Sequence, residues 1–274
     1  MPRWQSGTAA IAYDDQGEGS PVVLVHGHPL DRSMWQPQIT WLAGHGFRAI
    51  APDLRGYGQS SVQSGSCTLD VFARDIAGLL DELGLGQAVI CGLSMGGQIA
   101  LEFTRLYPGR VRALVLADTS APADTEDGAR GRHATADRLL ADGMAGYAAE
   151  VLPKMISART IARQPSVAAR VLEMMRAADP AGAAAALRGR SARPDYRPLL
   201  PAITVPALVV VGAEDEFTPL PDARVLAAGI ARSALTVVPG AGHLPNLEQP
   251  GTFNHALADF LAGLTPAGPA RIGA

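Results

Sequence analysis

Unbroken apolar runs of strand length alternate along the chain with stretches in which apolar residues recur every three or four positions. Residues 8–13 predict a short first strand, and the polar, glycine-containing residues 14–19 a turn. The run Pro21-Val22-Val23-Leu24-Val25 is continuous rather than alternating, as expected of a strand covered on both faces. Asp31 is placed to cap a helix running through Met34, Trp35, Ile39 and Leu42 to the stop at Gly44-His45-Gly46. A strand over 47–51, a glycine-punctuated loop over 52–60 and a helix over 68–83 follow, the helix carrying Phe72, Ile76, Leu79, Leu80 and Leu83 on one face. Residues 88–93 form the next strand run, and Met95, Ile99, Phe103 and Leu106 then recur at helical spacing. The alternation continues with a strand over 111–117.

It stops between 120 and 201, a segment rich in Ala and Arg with no strand pattern and four of the seven methionines. It resumes with a strand over 207–211, a helix from about 222, a strand over 234–238 and a last helix striped by Phe253, Leu257, Phe260, Leu261 and Leu264. Strand–helix alternation predicts an α/β fold: a mostly parallel sheet with helices on both faces. The interruption predicts an inserted helical cap. The expected division is a core of 1–119 and 202–265, a cap of 120–201, and a flexible tail of 266–274.

With 274 residues and 47% hydrophobic content there is ample material for one large core. The formal net charge of −3 offers no basic face for nucleic acid or an anionic membrane. The amino-terminal stretch lacks a signal-peptide pattern, and no apolar run has membrane-spanning length, so a cytoplasmic protein is expected. Cys67 falls in a loop and Cys91 in a buried strand, so no disulfide and no metal-type spacing is expected. Neither a cofactor nor a metal is implied, and the expected partner is a small-molecule substrate.

The chemistry concentrates where strands end. Gly92-Leu93-Ser94-Met95-Gly96 sits between a strand and a helix, a corner that lifts a serine hydroxyl above the sheet edge and aims a helix N-terminus at the substrate. Ser94 is the candidate nucleophile. A serine hydroxyl needs a base, and the base an orienting acid. Of six histidines, His243 lies in the glycine-flanked loop after the final strand and is the candidate base. Two carboxylates fit the order serine, acid, histidine. Asp215, in a polar loop after the strand at 207–211, is favoured over Asp118, which follows the strand at 111–117. The developing oxyanion needs two fixed donors, expected from the backbone N–H groups of Met95 and His28. The side chains of His26 and His28 are expected to brace their loop.

With these residues in place, the chain resembles the α/β-hydrolases over nearly its whole length. The nucleophile elbow, the His26-Gly27-x-Pro29 oxyanion loop, Asp215 and His243 match that family's motifs, and the 53–60 loop is similar to one read as structural. Cys91 to Gly97 and His243 to Pro250 resemble the 3-oxoadipate enol-lactonase branch. His26 to Asp31, with Met34 and Trp35, resembles the cofactor-free haloperoxidase and arylesterase branch. The resemblance implies a serine hydrolase cleaving a carboxylic ester through an acyl-enzyme. A lactonase, a C–C hydrolase, a perhydrolase and a capped receptor of the same fold are the alternatives. Apolar cap residues, with Met144, Tyr147, Met155 and Met174 as candidates, are expected to line the pocket and to favour uncharged esters. A cap arginine among Arg159, Arg163, Arg170, Arg176, Arg188, Arg190 and Arg193, turned inward, would reverse that preference.

Overall fold

A computed structural model describes residues 2–264. Its strands are β1 (Arg3–Ser6), β2 (Ala9–Gln16), β3 (Ser20–Val25), β4 (Phe47–Pro52), β5 (Ala88–Leu93), β6 (Val111–Ala117), β7 (Ala207–Gly212) and β8 (Ser233–Val238). They form one sheet in the order β1-β2-β4-β3-β5-β6-β7-β8, antiparallel at β1/β2 and β2/β4 and parallel throughout the rest. The α-helices are α1 (Gln36–Ala43), α2 (Leu69–Glu82), α3 (Met95–Leu106), α4 (Glu126–Asp142), α5 (Met144–Met155), α6 (Ala158–Arg163), α7 (Pro165–Ala177), α8 (Pro180–Ser191), α9 (Leu220–Gly229), α10 (Pro245–Glu248) and α11 (Pro250–Ala262). This is the α/β-hydrolase architecture. The tail expected from 266 to 274 lies outside the described residues. No described helix is long and apolar enough to cross a membrane, and Cys67 and Cys91 are free and buried.

Alternate residues of each central strand serve two cores, as a period of two requires. Val23, Val25, Ile50, Ile90, Leu114 and Leu116 face one side with α2 and α3. Val22, Leu24, Ala49, Val89, Cys91 and Val115 face the other, with α1 and α11. The helices between β6 and β7 divide the same way: α4 packs chiefly on α8, and α5 on α7.

Three local expectations change. β1 escaped the reading because only Trp4 in Arg3–Ser6 is large and apolar, and this short edge strand is half exposed. Residues 14–16, expected in a turn, extend β2 opposite Ala49–Ala51. Their polar side chains are tolerated because Arg48 pairs with Asp15 at 2.7 Å and Arg32 with Asp14 at 3.1 Å. The segment capped by Asp31, which accepts from the Ser33 N–H at 2.8 Å, begins as a 3₁₀ turn over Arg32–Trp35, and α1 then starts at Gln36 with Pro37 in its first turn.

The small-residue face of α8 brings it hard against the loop before α2. A Cβ on Gly182 would collide with the Gly56 carbonyl, and one on Gly189 with that of Cys67. The Cys67 N–H bonds the Ala185 carbonyl at 2.9 Å across the same seam. Gly189→Val is therefore expected to destabilise the fold by about 1–3 kcal/mol or more through overpacking. Gly146→Ala in α5, where an added Cβ meets nothing within 4 Å, should instead stabilise by about 0.5–1 kcal/mol. Urea midpoints of the two variants measure the contrast, and equal shifts would contradict this packing.

Candidate active site

β3 lies between β4 and β5, so the chain leaves it in one direction and returns on its other side. Loops at the carboxyl ends of β3 and β5 part at such a switch point and leave a crevice. Ser94 sits there, between the last residue of β5 and the first of α3, with φ 57° and ψ −116°. This conformation is costly for a residue with a side chain. Its surroundings hold it: the Ser94 N–H donates to the Ala117 carbonyl at 2.9 Å, and the Thr119 hydroxyl donates to the Ser94 carbonyl at 2.7 Å. A Cβ on Gly92 would meet the Gly96 carbonyl, and one on Gly96 the Val25 carbonyl, so only glycine allows the turn to close this tightly. Met95 opens α3, and its N–H has no acceptor within the helix.

His243 Nδ1 lies 2.9 Å from both carboxylate oxygens of Asp215. Asp215 also accepts from the Phe217 N–H at 2.9 Å, the Thr218 N–H at 3.3 Å and the Thr218 hydroxyl at 2.7 Å. Burial alone would raise this carboxyl; the charge and hydrogen bond of His243 and the Thr218 and Phe217 donors outweigh it and hold the pKa down at about 2. With Nδ1 committed to Asp215, Nε2 is the ring nitrogen left for the cavity that His243 and Ser94 line together. Asp118 lies beside this pair, with φ 43°. One of its oxygens accepts from the Gly212 N–H at 2.8 Å, and the other is buried without a hydrogen bond. Burial first, and the neighbouring Asp215 charge second, push its carboxyl well above the usual range. Neighbouring carboxyls are thus driven in opposite directions, Asp215 towards the charged form and Asp118 towards the neutral one. Ligand-capable atoms of Asp118, Asp215 and His243 fall within 4.8 Å of one another. Because Asp215 is already saturated by its donors, the trio presents no open charged ligand set to a cation.

Glu248 is a buried neighbour of His243 that the sequence pattern does not single out. Its Oε1 accepts from the Gly242 N–H at 2.8 Å and the Leu244 N–H at 3.3 Å, the residues flanking His243. Its Oε2 accepts from the Ser157 N–H at 2.7 Å and the Thr160 hydroxyl at 2.8 Å. One buried carboxylate thereby ties the histidine loop to the start of α6.

The loop after β3 passes over Ser94 so closely that a Cβ on Gly27 would lie 3.2 Å from the Ser94 Cβ. His26 braces it as expected, accepting from the Leu54 N–H at Nε2 and bonding the Gly27 carbonyl through Nδ1, both at 2.9 Å. Asp53 anchors the neighbouring loop, accepting from the Arg32 N–H at 2.9 Å, the Gln59 N–H at 2.7 Å and the Arg32 guanidinium. His28 differs from His26. Its Nδ1 bonds the Tyr57 hydroxyl at 2.8 Å, and its Nε2 is buried without a partner.

The cavity at Ser94 has a volume of about 120 Å³ and is lined by His28, Ser94, Arg132, Tyr147, Met155, Leu187, Arg190, Phe217, Thr218 and His243. A larger groove of about 470 Å³, between α2, α3 and the end of α8, contains none of the candidate catalytic residues. Of the four expected cap contacts, Tyr147 and Met155 line the cavity. Met144 packs into one core, and Met174 into the other, beside the Ser33 hydroxyl at 3.3 Å. Helical spacing identifies an apolar face but cannot say whether that face meets a core or a cavity. Arg132, Leu187, Phe217, Thr218 and the inward-turned Arg190 take the remaining places beside His28 and the catalytic candidates. Arg132 sits in a charged stretch and carries no distinguishing signal; Arg190 lies with Leu187 and Arg188 at the end of a helix that opens on small residues.

The alpha/beta hydrolase fold family description matches residues 20–250. An esterase from Thermogutta terrifontis superposes with a TM-score of 0.94 at 39% identity, over 96% of this chain and 99% of that one. The bromoperoxidase of Bacillus anthracis superposes at 0.83 with 27% identity, over 93% of this chain and 96% of its own. A 3-oxoadipate enol-lactonase of Acinetobacter baylyi is 31% identical over 250 residues, 90% of this chain and 91% of the relative. Sheet order, the strained serine corner and a match spanning most of the chain converge: the protein belongs to the α/β-hydrolase family.

Proposed function

We propose that the protein is a serine hydrolase that opens a carboxylic ester or lactone of a small substrate through an acyl-enzyme. The observation that carries this reading is the convergence of Ser94 and an Asp215-bound His243 on one small cavity. His243 Nε2 takes the Ser94 hydroxyl proton as the oxygen attacks the substrate carbonyl. The carbonyl oxygen becomes an oxyanion, received by the N–H groups of Met95 and His28. The intermediate collapses, the C–O bond to the leaving alcohol breaks, and His243 returns the proton to that oxygen. Water, deprotonated by the same imidazole, then attacks the acyl carbonyl and releases the acid and Ser94. Asp215 stays ionised throughout and steadies the imidazolium.

The chemistry is the same for an open ester and a ring ester, in which the leaving oxygen stays tethered to the acyl group. Relatives named for both kinds of substrate, an esterase and an enol-lactonase, support keeping both. A cavity of about 120 Å³ is well below the roughly 300–1,000 Å³ of drug-sized pockets, which favours a compact substrate. The Thermogutta esterase was solved with malate bound, a compact diacid.

A fluorophosphonate should label the protein once, with the adduct on Ser94 by peptide mapping; an adduct elsewhere refutes the assignment. Ser94→Ala and His243→Ala should each abolish nearly all ester turnover, and the double variant should be little worse, since the residues act as a unit.

Asp215→Asn should lower kcat by roughly 10⁴-fold, as for an orienting acid that fixes the imidazole tautomer. Asp118→Asn, at a carboxyl that accepts from the Gly212 N–H while Asp215 takes the imidazole, should lose far less. The reverse ranking would move the acid to Asp118.

Asp215 also couples stability to pH. Its folded pKa of about 2 lies below the ordinary 3.8, so its contribution is fully present above about pH 5 and lost as pH falls through 3.8 towards 2. The shift corresponds to roughly 2 kcal/mol. The gap in unfolding free energy between wild type and Asp215→Asn should therefore shrink by about that amount between pH 5 and pH 2. A gap independent of pH would show that the carboxylate is not held by charge.

A further inference from the structure

We infer that the cavity at Ser94 contains a built anion subsite, formed by Arg190 with Arg132 and the His28 imidazole, and that the substrate is a short ester or lactone carrying a carboxylate. The inference rests on the hydrolase reading for the reaction, but the subsite itself is independent of it. Arg190 is 8% exposed. Its Nε donates to Gln98 Oε1 at 2.7 Å, and among the described residues no carboxylate stands within ion-pair distance of its guanidinium. The nearby acid is already used. Asp124 accepts from Arg132 at 2.6 and 3.1 Å and pairs with Arg193 at 2.8 Å. Two guanidiniums thus take up this carboxylate and leave Arg190 without one, and Arg190 and Arg132 line the cavity. Burial first, then Arg132 and Arg193, press on the Arg190 charge. An arginine nevertheless keeps its proton, so the local charge remains positive. A buried cation without an anion is costly for stability alone; a carboxylate entering the cavity would supply the missing partner in a charge-assisted, two-point contact.

His28 adds a neutral donor to the same wall. The Tyr57 hydroxyl has one proton, and its described partner is His28 Nδ1 at 2.8 Å. When Tyr57 donates, the imidazole proton resides on Nε2, the buried atom without a partner. Burial, with Arg190 and Arg132 next, keeps this ring uncharged at neutral pH. Nε2–H is then an unpartnered donor on a residue that lines the cavity. Tyr147 stays protonated because burial raises its phenol, so nothing anionic on the cavity wall competes with an incoming carboxylate except the Asp215 held behind His243. The expectation of a methionine-lined cavity preferring uncharged esters is reversed on this reading.

The test compares monomethyl succinate with methyl butyrate, esters of similar size that differ in one carboxylate, by titrating released acid. Wild type should prefer the succinate ester by at least tenfold in kcat/KM. That ratio should fall at least tenfold in Arg190→Gln and recover in part in Arg190→Lys, with circular dichroism confirming that each variant is folded. In parallel, succinate should raise the Tm of wild type and of Ser94→Ala above a sodium chloride control of equal ionic strength. It should do so less in Arg190→Gln. Turnover of both esters without preference, together with no effect of succinate on Tm, overturns the subsite while leaving the hydrolase. Stabilisation by succinate without turnover of any ester keeps the subsite and removes the hydrolase reading.

Discussion

How closely two backbone turns meet above the middle of the sheet governs the rest of the molecule. The turn after β3 and the corner after β5 touch without side chains between them: Gly96 lies on the Val25 carbonyl and Gly27 beside the Ser94 Cβ. That approach fixes Ser94 in its unusual conformation, at a cost of about 1–3 kcal/mol for a strained non-glycine residue. Bonds from Ser94 to Ala117 and from Thr119 to Ser94 offset it. The same approach sets the direction of α3 and brings the loop carrying His28 alongside the serine. Neighbouring parallel strands place Asp118 and Asp215 at the same sheet edge, within reach of His243.

Buried carboxylates hold the upper loops to one another. Asp53 collects the start of the 3₁₀ turn and the 53–60 loop, Asp215 the turn through Thr218 and the His243 ring, and Glu248 the histidine loop and the start of α6. Each accepts several donors, and a buried donor left unmatched costs on the order of 1–3 kcal/mol. Against this pattern the arginines around Asp124 stand out. Where the other acids are saturated by donors from loops they hold in place, here two cations pair with one acid and a third, Arg190, is left beside them without one. The imbalance lies at the cavity wall, where a ligand rather than the chain is positioned to correct it.

Helices α4 to α8 show how one segment can serve packing and chemistry together. The α4/α8 pair and the α5/α7 pair continue the two cores on opposite faces of the sheet. Most of their methionines are consumed in that packing. What reaches the cavity from these helices is Arg132 from α4, Tyr147 and Met155 from α5, and Leu187 and Arg190 from α8. The glycine contacts of α8 with Gly56 and Cys67 set its depth, and so set where the Arg190 guanidinium ends.

The sequence by itself determined the elements whose signal is local. Continuous apolar runs marked β3 to β8, helical stripes marked α2, α3 and α11, and a serine between glycines at a strand-to-helix corner marked Ser94. The glycine-flanked loop after the last strand marked His243. Tertiary structure decided whatever depends on residues far apart in the chain. Residues 14–16 became strand because Arg32 and Arg48 meet their aspartates across the sheet. Asp215 and Asp118 have equivalent positions in chain order, and only burial beside each other and beside one imidazole shifts their carboxyls in opposite directions. Met144 and Arg190 both lie on helices between β6 and β7 with buried faces, yet one fills a core and the other lines the cavity. Periodicity records that a side chain is removed from water; what it is removed against is settled by the packing of segments from opposite ends of the chain.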